Sequence, residues 1–260
     1  MDTTNDITPE LKEETAQATE TKAPQASAKD KTAGKSALSV GVKIAAVVGL
    51  CLTMLIGVSG TGIWIMNKIG VEIESIAEHD IPLTEMVSKI TVHQLEQAIN
   101  FERALRYGVE MAHAPAARKH FETAVKKFES ISAKVDKEVK EGEHLAEEAI
   151  KAAHTPAEKA EFTHVLSALK SIEKHHHDFE VHGTEAMKLI LAGNVPGALK
   201  LTEKIEIEEE KLDHELEALL AELEKFTKNA AHQAEMDEKF GIKLLIIASV
   251  IGFVLASFMA

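Results

Sequence analysis

Two apolar stretches, residues 44–66 (IAAVVGLCLTMLIGVSGTGIWIM) and 242–260 (IKLLIIASVIGFVLASFMA), enclose a long polar segment. Each is close to the roughly 20 residues that an α-helix needs to cross a bilayer. Between them, apolar residues recur every three or four positions, the pattern of helices with one buried stripe. One stripe reads Phe121, Val125, Phe128, Ile131 or Ser132, Val135, Val139, Gly142, Leu145 and Ala149. The next reads Phe162, Val165, Leu169, Ile172, His176, Phe179, Gly183, Ala186 and Ile190. A third reads Ile205, Leu212, Leu216, Leu219, Leu223, Phe226 and Ala230. Breaks at 112–115 (AHAP), 155–158 (TPAE) and 192–197 (AGNVPG) divide the segment into helices of about 67–113, 116–153, 156–192 and 195–241. At the second break Thr155 caps, Pro156 suits the first turn and Glu158 completes a capping box. Such short connections make sequential helices antiparallel neighbours. The predicted fold is all-α: an antiparallel up-down four-helix bundle, residues 67–241, flanked by transmembrane helices over 41–66 and 242–260. Pro82 is expected to kink or interrupt the first bundle helix.

Charge orients this layout. Lys29, Lys31, Lys35 and Lys43 crowd the N-terminal side of the first apolar stretch, and only Lys68 follows it closely. Positive-inside logic puts the N-terminus in the cytoplasm and 67–241 on the far side. A cleaved signal peptide fits less well, because about 40 polar residues precede a run longer than its apolar core. Residues 1–40 hold almost no large apolar side chain and are expected to be a disordered cytoplasmic tail. Within them, 33–36 (AGKS) lacks the earlier glycine and the strand of a phosphate-binding loop.

Composition narrows the function classes. A net charge of −13 argues against nucleic acid as a partner. Only 4% of residues are aromatic and 27% are charged, which suits long helices. Cys51 is the only cysteine, so one chain has no disulfide or thiolate metal site. Ridges of small residues mark both apolar stretches: Gly41, Ala45, Gly49, Thr53, Gly57 and Thr61, then Ala248, Gly252, Ala256 and Ala260. Such ridges let helix backbones approach closely in lipid, so helix pairing and a homodimer are expected.

Of 29 basic residues only Arg103, Arg106 and Arg118 are arginines. Reflection about the turn near 114 gathers them at the membrane-distal tip beside Tyr107, the only tyrosine. A guanidinium cluster suits a carboxylate or phosphate, so these four residues are the candidate ligand site. The bland alternative is surface ion pairing with Glu102 and Glu110. Glu-x-x-His occurs at Glu110/His113, Glu141/His144, Glu161/His164 and Glu173/His176, but the pairs flank or avoid the core stripe, and no metal or cofactor is assigned to them. His176 alone falls in core register, with His93 and His214 at about its height; a solvated 175–177 histidine run with one ring partly buried is the simplest reading. The charge run 206–211 reads as a solvated helix face. No nucleophile–base arrangement, glycine-rich cradle or calcium loop appears, so no catalytic residues are expected.

The segments 79–84 (HDIPLT) and 93–105 (HQLEQAINFERAL), within this layout, resemble the first sensor helix of one branch of the bacterial methyl-accepting chemotaxis receptors. The resemblance covers roughly residues 40–260. It implies a multi-pass protein of the bacterial inner membrane whose extracytoplasmic sensor dimerises, binds a small carboxylate ligand or a periplasmic binding protein near its distal end, and shifts its last helix. In that family a cytoplasmic linker and signalling hairpin follow, so the chain is expected to be either the sensor piece of a larger or split receptor or a stand-alone membrane protein using the same bundle. A ligand-free structural or scaffolding membrane protein and a metal-handling bundle are the competing classes.

Overall fold

A computed structural model describes residues 39–111 and 113–259; the tail expected over 1–40 lies outside the described residues except for Ser39 and Val40. All its regular elements are helical. They are α1 (Val40–Ser75), a π-helical turn (Ile76–Asp80), α2 (Ile81–Glu110), α3 (Ala117–Ala152), α4 (Pro156–Leu191) and α5 (Val195–Met259). Helix α2 packs on α3, α3 on α4 and α4 on α5, while α2 also meets α5, so the four enclose one interior. The apolar end of α5 runs back along α1.

The helix ends follow local chemistry. At the start of α4, Thr155 Oγ1 accepts from the Glu158 amide at 3.1 Å and the Glu158 carboxylate accepts from the Thr155 amide at 3.0 Å. That reciprocal box is the one legible in the sequence. At its far end Gly193 adopts φ 79°, where a side chain would be strained. The Gly193 and Asn194 amides reach back to Ile190 and Leu189, satisfying carbonyls the helix would otherwise orphan. Asn194 Oδ1 then accepts from the Gly197 amide as α5 begins.

Pro82 acts differently from a simple kink. Lacking an amide hydrogen, it cannot complete the normal ladder. The chain widens by one π turn just before it, with the Ile81 amide bonded to the Ile76 carbonyl, and helix continues on both sides. The interruption is thus a local slip of hydrogen-bond register.

The interior holds two apolar clusters. One, toward the apolar ends of the chain, includes Leu83, Ile90, Val139, Leu169 and Leu216. The other, toward the α2–α3 turn, is built on Phe101, Phe121, Phe128 and Phe179. Phe101, Phe128 and Phe179 meet pairwise with ring centroids 5.9–6.1 Å apart. The α4 stripe is buried at every position from Phe162 to Ile190. On α3 the stripe differs at two places: Ala124 and Ala146 are buried, whereas Val125 and Leu145 only border the core.

Two helices are long and apolar enough to cross a membrane. Their apolar residues stay uncovered, with Leu52, Leu55, Ile56 and Ile63 of α1 and Ile246, Val250 and Phe253 of α5 all exposed. The two stretches lie side by side. Gly241 sits against Ile65, and a Cβ on Gly252 would come 3.1 Å from Met54 Sδ. Where they join the polar domain, Lys68 Nζ binds Asp237 Oδ2 at 2.5 Å.

Candidate functional site

A belt of buried polar groups separates the two apolar clusters. On α2, Gln94, Gln97 and Asn100 occupy the inward positions between Ile90 and Phe101 and are essentially sealed from solvent. Opposite them, Ser132 of α3 and His176 of α4 are also fully buried. On α5 the inward stripe lapses between Ile205 and Leu212, and half-buried Glu208 and Glu209 fill the gap. His176 Nδ1 lies 2.9 Å from Gln94 Oε1, while its Nε2 lies 3.5 Å from Ser132 Oγ and 3.7 Å from Asp136 Oδ1. Burial pushes the His176 imidazole below its usual pKa, with Asp136 and Glu180 opposing.

The belt is under-satisfied. Gln94 Nε2, both amide atoms of Gln97, and Asn100 Oδ1 find no partner among the described residues. Asn100 Nδ2 donates only to its own helix, to the Glu96 carbonyl at 2.7 Å. Buried polar groups are normally paired, and each unpaired one costs about 1–3 kcal/mol. A core stripe of this length would be more stable if it were apolar, so the belt marks a place where stability is not the sole design.

His176 is therefore fully buried, and its neighbours in the run diverge from it. His175 borders α5 and His177 faces solvent. The equal-height layer of His93, His176 and His214 does not form. His93 turns to Glu138 at 2.6 Å, His214 lies at the surface, and Gln94 takes the inward place.

Three other histidines share one arrangement. A lysine and a glutamate four residues apart on one helix grip an imidazole from the next. Lys134 and Glu138 hold His93, Lys211 and Glu215 hold His175, and Lys204 and Glu208 hold His182. In each, the ammonium donates to Nε2 and Nδ1–H donates to the carboxylate. The 206–211 charge run is thus only partly a solvated face, since Glu208 and Lys211 clamp α4. The Glu-x-x-His pairs do not converge: Glu141 meets Lys137, His144 meets Glu148, and His164 meets Glu222.

Arg103, Arg106 and Tyr107 lie toward the end of α2 and Arg118 in the first turn of α3. The Arg106 guanidinium lies 4.7 Å from the Tyr107 ring centroid, and Tyr107 stacks on His120 of α3 at 5.1 Å. Arg118 reaches Glu122 at 3.8 Å on its own helix. Neither Glu102 nor Glu110 pairs with these arginines, and among the described residues Arg103 and Arg106 have no carboxylate within 4 Å. All three arginines are exposed.

Near the apolar ends, a cavity of about 360 Å³ is bordered by Glu72, Asp80, Glu158 and Glu161. Asp80 is 5% exposed. Burial, with Glu161 and Glu158 nearby, pushes its carboxyl up to about 6. On α5, burial together with Asp213, Glu102 and Glu206 raises Glu209 to about 7.

Sequence reading missed Gln94, Gln97, Asn100, Asp136 and Glu180. The available signal was the spacing Ile90, Gln94, Gln97, Phe101, which continues an apolar stripe through two glutamines. No protein-family model, curated protein or solved structure matches the chain.

Proposed function

We propose that this chain is a two-pass sensor of the bacterial inner membrane. Residues 67–241 form an antiparallel up-down four-helix bundle outside the cytoplasm, flanked by transmembrane helices. The observation that carries the reading is α5. It runs without interruption from the α4–α5 turn at the distal end through its apolar stretch. A helix is stiff along its axis, so a shift of α5 at the tip is carried toward the membrane. Helix α1 is joined to α2 only through the π turn at 76–80, a softer link of the kind often found at functional positions.

The ligand in this reading is a small carboxylate-bearing molecule, or the acidic patch of a binding protein, held by Arg103, Arg106 and Arg118 with Tyr107 alongside. Support comes from Arg103 and Arg106 having no carboxylate within 4 Å among the described residues. The sensor acts as a homodimer. Val92, Leu95 and Ile99 form an exposed apolar stripe on α2 that no other helix covers. Among the described residues, no other helix comes within 4 Å of where a side chain on Gly49 would begin, so that part of the small-residue ridge on α1 can take a second copy, while Gly57 and Thr61 border the groove against α5.

The test is a thermal-shift screen of amino and organic acids against the full chain in nanodiscs. A charge-assisted contact is worth about 1.5–3 kcal/mol, so Arg103→Ala or Arg106→Ala should weaken a hit roughly ten- to hundredfold. Lysine at either position should restore little, because it lacks the planar fork. A hit that binds both alanine variants as tightly as the parent would move the site elsewhere. The absence of any hit would favour the scaffolding class.

A further inference from the structure

The geometry points to a divalent metal site of the zinc type at the α3–α4 seam, made by Asp136, His176 and Glu180. One ligand atom from each lies within 4.8 Å of the others. His176 and Glu180 are one helical turn apart on α4, and Asp136 faces them from α3. Ser132, one turn before Asp136, supplies a hydroxyl 3.5 Å from His176 Nε2.

Three features separate this cluster from the clamps described above. The first is spacing. In the clamps, carboxylate and imidazole are 2.6–2.8 Å apart, which is direct hydrogen bonding. Here Nε2 and Asp136 Oδ1 stand 3.7 Å apart, too far for a hydrogen bond. Two atoms bound tetrahedrally to zinc, at about 2.0–2.1 Å each, are separated by about 3.3–3.5 Å. The gap is close to what a shared ion sets.

The second feature is the far side of the ring. Nδ1 lies 2.9 Å from Gln94 Oε1, and Nδ1–H donating there leaves the Nε2 lone pair on the side of Asp136 Oδ1, 3.7 Å away, and the Ser132 hydroxyl, 3.5 Å away. An imidazole fixed through its remote nitrogen by an amide or carboxylate is the usual outer support of a metal-binding histidine. The clamped histidines differ, because a lysine ammonium occupies their Nε2 in each case.

The third feature is access. His176 is sealed in the interior, whereas Asp136 and Glu180 are partly exposed, so an ion can enter from the seam and end against a rigid ligand. One nitrogen and two carboxylate oxygens, with no sulfur, suit zinc and its first-row neighbours. The inference does not depend on the membrane reading.

The experiment is titration of the chelator-treated full chain in nanodiscs with zinc chloride, followed by calorimetry. One ion per chain with micromolar affinity is expected. Asp136→Asn and Glu180→Gln keep shape and lie at the partly exposed edge, so both should fold. Each should weaken binding at least tenfold. Gln94→Leu, which touches no ion, should weaken it about ten- to hundredfold by freeing the ring. The paired control His175→Gln with Glu215→Gln removes a clamp and should leave binding unchanged. Circular dichroism on every variant separates lost binding from lost fold. Zinc binding that survives Asp136→Asn and Glu180→Gln, that falls instead with the clamp control, or that is absent in the parent would overturn the site.

Discussion

Replacing Gln97 with leucine should make the protein more stable, by about 2–4 kcal/mol. Gln97 is 0% exposed, and neither its amide nitrogen nor its oxygen has a protein partner. Burying an amide whose hydrogen bonds are unmet costs about 1–3 kcal/mol in proteins, and leucine adds buried apolar surface at nearly the same volume. The substitution would join the two apolar clusters into one. The check is the melting midpoint of the full chain in nanodiscs, with Glu96→Leu as an exposed control. If Gln97→Leu lowers the midpoint, the belt is a well-paired network whose partners lie outside the chain. If it raises the midpoint and abolishes a ligand response, the polar belt is kept for function at the expense of stability.

The second large effect is pH dependence. Asp80 titrates at about 6 and Glu209 at about 7 in the fold, against 3.8 and 4.5 as unperturbed groups. Burial is the main cause for both. Between the unfolded and folded values the native state holds protons that the unfolded chain has released, so stability falls as pH rises. The contribution is fully present below about pH 4 and is lost progressively between about pH 4 and pH 7. One unit corresponds to about 1.4 kcal/mol, giving Asp80 roughly 3 kcal/mol. Glu209 is partly solvated and is discounted to roughly 1–2 kcal/mol. The melting midpoint should therefore drop between about pH 4 and pH 7.5, and Asp80→Asn combined with Glu209→Gln should flatten most of that drop. A midpoint that rises over this range, or a slope untouched by the double variant, would contradict the assignment.

How much was legible depended on which letters sat in the core. On α4 every inward position but His176 is apolar, aromatic or glycine, and the stripe can be read directly from Phe162 to Ile190. On α2 the inward positions include Gln94, Gln97 and Asn100, while Val92, Leu95 and Ile99 face outward. Leu83, Val87, Ile90, Phe101 and Ala104 do point inward, but between Ile90 and Phe101 the large apolar letters lie on the outer face, so hydrophobicity alone misreads the register there. The Thr155–Glu158 cap was readable because its chemistry is local. The π turn was signalled only by Pro82, since sequence does not say how a ladder accommodates a missing donor. Counting from a turn puts Arg103 and Arg106 near the end of α2 and Arg118 at the start of α3, which needs only the helix bounds. The Asp136, His176 and Glu180 cluster was not, because it needs the relative rotation of two helices and the outer support from a third.

The central claim is that the helical domain is displayed outside the cytoplasm on two membrane helices. Cys51, the only cysteine, lies within the apolar stretch of α1, so Cys51→Ser gives a clean background. Ala114→Cys in that background puts one thiol in the exposed turn between α2 and α3. A membrane-impermeant maleimide applied to intact spheroplasts should label this thiol fully, with no further labelling after lysis. Labelling that appears only after lysis would place the domain in the cytoplasm and contradict the account.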